Sequence, residues 1–366
     1  MNKGFYISAT QFSTLVFFFT IGSSILLTPS VLVSAAKQQG WIAGVIALGI
    51  GLLLALLYGG IGSKQQAISF VDYVQSVYGK WIGTLILLHY FFFFMILCAL
   101  VLRDMGDFMT AQILSETPII SVHIVYMLLV IYATSLGILS LSRFSQVLFP
   151  GFLILILSLV LFVAPQVELG NILPVFPIDY KKITKASLAF VGFPFLELST
   201  FLVLQPYVKE KEQLKKAFVI GTFLGGAALI AITLQCIFVL GSDLTSIYLY
   251  PSYELAKKIH VAEVLERVEA ILAILWFTTV FFKIVLTFFA SVIVLSDMLK
   301  LKSYQQLILP LGIFVLIYSI TMTPNITYVW FSAKVWPFYS FISGFVFPIL
   351  LIIGSRIKKQ KSQNTS

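Results

Sequence analysis

Charged residues are scarce in this chain of 366 residues. Only 11% are charged and 59% are hydrophobic, whereas a soluble domain carries about a quarter charged residues. Water is therefore not its main solvent. The net charge of +9 does not indicate a nucleic-acid surface, because the basic residues are dispersed through loops and the tail.

Cysteine and catalytic motifs are also rare. Cys98 and Cys236 both fall inside apolar runs, where a thiol behaves as a small apolar side chain and builds no disulfide framework. We find no phosphate loop, no metal-ligand spacing and no Ser/His/Asp arrangement. The sequence therefore predicts no enzyme activity, no cofactor and no metal site.

Long apolar runs recur along the whole chain instead. Each is close to the roughly 20 residues that a helix needs to cross about 30 Å of hydrocarbon. We therefore predict an all-α integral membrane protein, with residues 1–366 forming a single domain of about ten transmembrane helices. The predicted spans are 10–35, 40–61, 81–102, 118–139, 145–164, 184–205, 217–240, 268–296, 305–322 and 336–354.

The distribution of basic residues predicts the orientation. With the N-terminus in the cytoplasm, fourteen Lys and Arg residues fall in cytoplasmic segments and nine outside, the bias expected from the positive-inside rule. Lys181, Lys182 and Lys185 lie on the disfavoured side. The first apolar run is too long for a cleaved signal peptide, and 358–366 is predicted to be a short, disordered cytoplasmic tail.

Two connecting segments have helical apolar spacing. Residues 63–80 are predicted to contain a short interfacial helix. Residues 251–266 are interpreted either as a segment on the membrane surface or as a solvated connector.

Residues 165–183 separate two groups of five spans, which we predict to be two repeats, 10–164 and 184–354. Because five is odd, the second group crosses the membrane in the opposite sense. Transporters built from inverted repeats place their ligand site near the midplane, where the first helix of each half is interrupted.

The first and sixth spans both contain the residues of such an interruption. Residues 20–25 read Thr-Ile-Gly-Ser-Ser-Ile, and 190–197 read Phe-Val-Gly-Phe-Pro-Phe-Leu-Glu, in which proline removes a helix hydrogen bond. Taken singly, small residues also let helices pack closely and proline also makes ordinary kinks. Their matching positions favour a binding site, predicted to be lined by Gly22, Ser23, Ser24, Gly192, Phe193, Pro194 and Glu197.

Glu197 and Lys283 lie deep within predicted spans, where an unpaired charge costs several kcal/mol. We expect Lys283 to pair with Glu197 or with carbonyl groups at the first-span break, where an ammonium takes the place of a sodium ion. The alternatives are that Lys283 snorkels to the interface and that Glu197 makes a structural hydrogen bond. Thr287 is a weaker candidate for a polar contact, because threonine is also common in helix packing.

Several short stretches, in this order along the chain, resemble the spore germination permease family. The family comprises the B subunits of endospore nutrient germinant receptors, within the amino acid/polyamine/organocation transporter superfamily. The resemblance covers essentially the full length. The stretches are Gln11-Phe12, residues 21–26 with Pro29, Gly40-Trp41-Ile42, residues 79–83, Leu102-Arg103-Asp104, Glu116-Thr117-Pro118, residues 193–197, residues 205–209 and residues 266–269.

This resemblance implies a LeuT-like fold of two inverted five-helix repeats, with a nutrient pocket between the first, third, sixth and eighth helices. Gly22, Ser23 and Ser24 match the first-helix opening, and Phe193, Pro194 and Glu197 match the sixth. Members resemble sensors that bind a small germinant, such as an amino acid, and signal to A and C receptor subunits. The implied location is the cell membrane or the spore inner membrane, with both termini on the cytoplasmic or core side.

Two other functions remain open. A proton-coupled amino acid permease also needs a midplane site and two conformations, but it accumulates substrate without partner subunits. A structural membrane scaffold requires neither a ligand nor Glu197.

Overall fold

The computed structural model describes residues 6–65, 68–258, 268–322 and 335–364, and within these ranges the fold is all-helical. Among the described residues, seven helical segments are long and apolar enough to cross a membrane, and two shorter apolar helices, Ala9–Ile21 and Gln305–Thr321, accompany them. Two of the seven contain parts of two spans, so the ten predicted spans are all present.

The helices are numbered here in chain order. They are α1 (Ala9–Ile21), α2 (Ser24–Ala36), α3 (Gly40–Lys64), α4 (Phe70–Tyr78), α5 (Lys80–Phe108), α6 (Ile119–Val163), α7 (Tyr180–Phe190), α8 (Phe201–Leu204), α9 (Leu214–Ile247), α10 (Pro251–Lys257), α11 (Val268–Met298), α12 (Gln305–Thr321) and α13 (Phe347–Asn364). Residues 335–341 and a π-helical turn, Ile342–Val346, lead into α13.

The first span is two helices, as its sequence predicts. Ser8 caps α1 by accepting a hydrogen bond from the Gln11 amide, and the Gln11 side chain accepts one from the Ser8 amide. The helix ends at Gly22, whose φ of +38° strains any residue with a Cβ atom. Because α2 begins two residues later, the backbone opens in the middle of the span.

The sixth span is interrupted at the matching place. After α7 the chain forms a π-helical turn, Val191–Phe195, and then a 3-10 segment, Leu196–Thr200. Phe193, the residue before Pro194, has non-helical angles (φ −146°, ψ 52°), and proline disfavours helical geometry at the residue before it. The predicted break in this span is therefore confirmed.

The fourth and fifth spans share α6. Gly137, with φ of +80° and ψ of 171°, divides α6 and lies against Tyr304. The half of α6 before Gly137 starts beside the end of α5, where His123 lies against Gly106. The half after Gly137 ends beside the second part of α9, where the Val160 carbonyl accepts a hydrogen bond from Gln235. The two halves therefore run in opposite directions, and the turn between them is much tighter than the predicted gap between 139 and 145.

The first and sixth spans cross the protein in opposite senses. At the beginning of the first span, Ile7 forms a β-bridge with Val208, which follows the sixth. At the other end, the Gln39 side chain accepts a hydrogen bond from the Asp179 amide, just before α7. The second half of the chain therefore starts where the first span ends, as an inverted repeat requires.

The first and last described residues lie on one side of the protein, called here the terminal face. Lys358 of α13 donates a hydrogen bond to the Ser76 carbonyl of α4, and Gly62 at the end of α3 packs against Leu214 at the start of α9. The Ile7 bridge lies on this side as well. The other side is called the opposite face.

Three connecting or terminal segments can be compared with their predictions. Helix α4 confirms the short helix predicted within 63–80. Within 251–266, α10 buries Pro251, Tyr253 and Leu255 against the protein, while 259–267 lie outside the described residues. Helix α13 continues to Asn364, so the prediction of a disordered tail is wrong for 358–364.

Aromatic rings fill much of the core, which suits a chain with 34 phenylalanines. Phe17 and Phe18 of α1 pack edge-to-face against Phe149 and Phe152 of α6, with ring centroids 5.0–6.4 Å apart. Such contacts add about 0.5–1.5 kcal/mol each beyond the burial of area. These contacts fix α1, the half of the first span that precedes the break, against α6.

Candidate functional site

The first-span break exposes backbone groups to neighbouring helices. The Gly22 carbonyl accepts a hydrogen bond of 2.8 Å from the Thr279 hydroxyl of α11. Ser23 precedes α2 but its side chain makes no capping bond, so the first amides of α2 have no acceptor from that side chain. A helix start of this kind favours negative charge.

The sixth-span break lies against the first. The Ser24 hydroxyl donates to the Phe193 carbonyl at 3.4 Å, which joins the two interruptions directly. The Gly192 carbonyl accepts a hydrogen bond of 3.0 Å from Ser340 of the tenth span. A Cβ atom at Gly192 would lie 2.8 Å from the Pro337 Cα atom, so the tenth span closes the other side of this break.

Glu197 and Lys283 form an ion pair at the centre of the protein. The distance between Lys283 Nζ and Glu197 Oε2 is 2.5 Å, and both side chains are 1% exposed. Lys283 therefore adopts one of the arrangements that the sequence left open, and it does not extend to the interface. A pair buried this deeply loses its hydration, so each charge depends on the other for its stability.

The Lys283 ammonium also reaches the first span. Its Nζ atom lies 3.5 Å from the Ser23 hydroxyl and 5.6 Å from the ring centroids of Phe19 and Phe193, within the range of cation–π attraction. A Cβ atom at Gly22 would collide with Lys283 Cδ. Gly22 thus leaves the space through which the lysine side chain approaches the break.

Trp336 completes the surroundings of Glu197. Its indole N–H donates a hydrogen bond of 2.6 Å to Glu197 Oε1, and its ring stacks on Phe93 of α5 at 5.3 Å between centroids. Sequence reasoning missed Trp336, because a tryptophan near the start of a span is typical of the aromatic belt at the membrane interface. Its distance from Glu197 along the chain gives no signal of contact.

Some of the predicted site residues surround the ion pair, and the others lie in the sixth-span break or farther along α11. Around the ion pair, the structure assembles Gly22, Ser23, Ser24, Phe193, Glu197 and Lys283. Gly192 and Pro194 shape the sixth-span break and are buried. Thr287 lies one turn beyond Lys283, and its hydroxyl donates to the Lys283 carbonyl; this bond satisfies it within α11.

A small cavity lies between the break and the opposite face. Its volume of about 10 Å³ is roughly that needed for one water molecule. Its walls are Ser23, Leu26, Leu27, Asp104, Asp107, Leu249, Tyr250 and Trp276. Phe108 covers Tyr250 and Trp276 with its ring, so a ligand larger than water requires these aromatic side chains to move.

Sequence comparison identifies relatives over nearly the whole chain. The family described as "Spore germination protein" matches residues 6–327. Spore germination protein KB of Bacillus subtilis (strain 168) is 30% identical over 369 residues, covering 98% of this chain and 97% of the relative.

Structure comparison identifies transporters of the LeuT-like fold. MhsT in complex with L-phenylalanine superposes with a TM-score of 0.68 at 15% identity, covering 96% of this chain and 88% of that one. Mhp1, a nucleobase-cation-symport-1 family transporter in a closed conformation with bromovinylhydantoin bound, gives 0.64 at 13% identity, covering 90% and 77%. At these identities the likeness concerns the fold.

Proposed function

This chain belongs to the spore germination protein family, and on that premise we propose that it is the nutrient-sensing membrane subunit of a germinant receptor. In this proposal a small germinant, such as an amino acid, binds at the paired helix breaks. The bound state signals to the A and C subunits, which start germination. The chain is a multi-pass membrane protein, and we place it in the spore inner membrane with the terminal face toward the core.

The observation that carries the proposal is the buried Lys283–Glu197 pair beside both breaks. A zwitterionic ligand can replace each partner, with its ammonium group on Glu197 and its carboxylate on Lys283 and the first amides of α2. That MhsT is described in complex with L-phenylalanine supports an amino acid in a fold of this kind.

Binding also has to change the arrangement of helices, since a ligand with equal affinity for two states shifts nothing. The cavity beside the break holds about one water molecule. A germinant therefore enters only when the pair separates and the elements that hold it move apart. These are the sixth, eighth and tenth spans, which carry Glu197, Lys283 and Trp336.

The second candidate, a proton-coupled amino acid permease, is favoured by one observation: two ionisable side chains meet inside the membrane-spanning part of the protein, and such residues mark proton pathways in transporters. A permease accumulates its ligand in vesicles without other subunits. A receptor subunit depends on its partners and needs no net uptake.

The first test is nutrient-triggered germination of spores carrying Glu197→Gln, with Glu212→Gln at an exposed position as the matched control. Membrane levels of the protein and of both partner subunits are measured in parallel. We expect the first variant to lose the response at normal protein levels and the control to keep it. An unchanged response with Glu197→Gln would refute a functional role for the pair.

The permease is tested separately. The protein is reconstituted alone in vesicles with an imposed proton gradient, and uptake of labelled amino acids is followed. Uptake that Glu197→Gln abolishes would favour the permease over the receptor.

A further inference from the structure

A second cavity, far from the paired breaks, opens on the terminal face. Its volume is about 660 Å³, large enough for part of a sizeable ligand. It lies between α4, the first turns of α5 and the last turns of α11. Nothing in the proposed receptor site uses it.

The walls of this cavity are of two kinds. One part is polar and is made by Asp72, Gln75, Ser76, Lys80, Thr84 and Lys300. The other part is apolar and is made by Leu88, Leu295, Met298 and Leu299. This cavity, called the groove below, has both kinds of wall and therefore matches an amphipathic ligand better than a soluble ion.

The two parts are arranged along the membrane normal. Lys80 begins α5 and Lys300 follows the end of α11, so both lie where spans leave the bilayer. Leu88 is eight residues into α5, which is about 12 Å along a helix. The apolar part therefore extends from the interface toward the hydrocarbon.

The lining carries two ammonium groups and one carboxylate, so its net charge is positive. Within the described residues, neither Lys80 nor Lys300 forms an ion pair. The Asp72 carboxylate accepts a hydrogen bond of 2.9 Å from Ser69 at the start of α4, which orients the carboxylate but leaves its negative charge in the lining. Two ammonium groups thus remain free at the rim of the groove.

The backbone at Lys300 is strained. Its φ is +53°, in the left-handed region that glycine adopts more cheaply than a residue with a Cβ atom. Helix ends of this shape usually carry glycine. A lysine at this position therefore carries a backbone cost that a glycine would not carry.

We propose that this groove binds an anionic phospholipid from the leaflet at the terminal face. The phosphate group lies between Lys80 and Lys300, and an acyl chain follows Leu88, Leu295 and Leu299. Basic pockets between spans on the cytoplasmic side are suited to anionic headgroups. The lipid holds the end of α11, the helix that carries Lys283, against α4 and α5.

The test uses the full-length protein purified in detergent. Retention of phosphatidylglycerol and of zwitterionic phosphatidylethanolamine is measured by native mass spectrometry, for the wild type, Lys80→Gln, Lys300→Gln and the double variant. Lys302→Gln, an exposed lysine outside the groove, is the matched control. Lys300→Gly relieves the backbone strain and guards against loss of folding as the cause.

We expect the wild type to prefer phosphatidylglycerol and each groove lysine to contribute about fivefold to that preference. Lys300→Gly should be at least as heat-stable as the wild type and still lose its share of the preference, while Lys302→Gln keeps it. Equal retention of the two lipids, or a preference that the double variant preserves, would overturn the proposal. Competition by glycerol phosphate or inorganic phosphate at the lipid's concentration would instead assign the groove to a soluble anion.

Discussion

At the scale of single residues, the Lys283–Glu197 pair dominates the energetics of the protein's centre. Removing one partner of a buried pair leaves an uncompensated charge and costs about 3–5 kcal/mol, whereas replacing both with neutral groups is often tolerated. The two side chains are 1% exposed, so water cannot relieve a lone charge.

We therefore predict that Lys283→Met lowers thermal stability more than the double variant Lys283→Met/Glu197→Gln does. Differential scanning fluorimetry of the purified proteins in one detergent measures the melting temperatures of both variants. A double variant that is no more stable than Lys283→Met would contradict the prediction.

Gly22 offers a second prediction at this scale. A Cβ atom there would lie 2.7 Å from the Phe19 carbonyl oxygen and would collide with Lys283, at a φ that disfavours side chains. We expect Gly22→Ala to cost at least about 2 kcal/mol. Gly49→Ala, where no atom lies within 4 Å of the added carbon, is the control and should leave the melting temperature nearly unchanged. Equal melting temperatures for the two variants would refute the steric argument.

The residues of the centre differ in how well the sequence predicts them. Glu197 and Lys283 stand out because intramembrane charges are costly and require partners. Trp336 does not, since nothing in an apolar span distinguishes a tryptophan that donates to a carboxylate from one that anchors the interface.

At the scale of secondary-structure elements, span lengths and interruptions follow directly from hydrophobic length and from glycine and proline. The tight reversal at Gly137 does not. A turn through one glycine contains no polar loop that would mark it in the sequence, and the span lengths predict a connection between 139 and 145 instead. The π-helical turn that ends at Val346 likewise depends on packing between spans.

The contact between the sixth and tenth spans gives a prediction at this scale. A Cβ atom at Gly192 would lie 2.7 Å from Pro337 Cβ, so Gly192→Ala forces the two spans apart. We expect overpacking of about 1–3 kcal/mol and a higher germinant concentration for half-maximal germination. Gly151→Ala, at an open position of α6, should change neither quantity. A germination response to Gly192→Ala that matches the control would show that this contact does not affect the response.

At the scale of the whole molecule, an odd number of spans in each half predicts the inverted arrangement of the fold. The repeat boundaries, 10–164 and 184–354, remain predictions. What sequence cannot supply is which helices meet at the centre, because Glu197 and Trp336 are far apart in the chain and contact only after the tenth span closes on the sixth.

Orientation is tested on the whole molecule by cysteine labelling. Lys302 lies on the terminal face, and Asp243, whose side chain is 85% exposed, lies on the opposite face. Cys98 and Cys236 are buried and should give little background. We expect a membrane-impermeant maleimide to label Asp243→Cys in right-side-out vesicles and Lys302→Cys only in inverted ones. The reverse pattern would place both chain ends outside.

The position of Lys283 beside the first-span break has a consequence for the lifetime of the resting state. A resting state held by its own ammonium and carboxylate groups draws on no ion gradient, no nucleotide and no continuing metabolism. In the receptor proposed above, such a state persists in a cell without active metabolism, and the binding free energy of the nutrient would separate the pair.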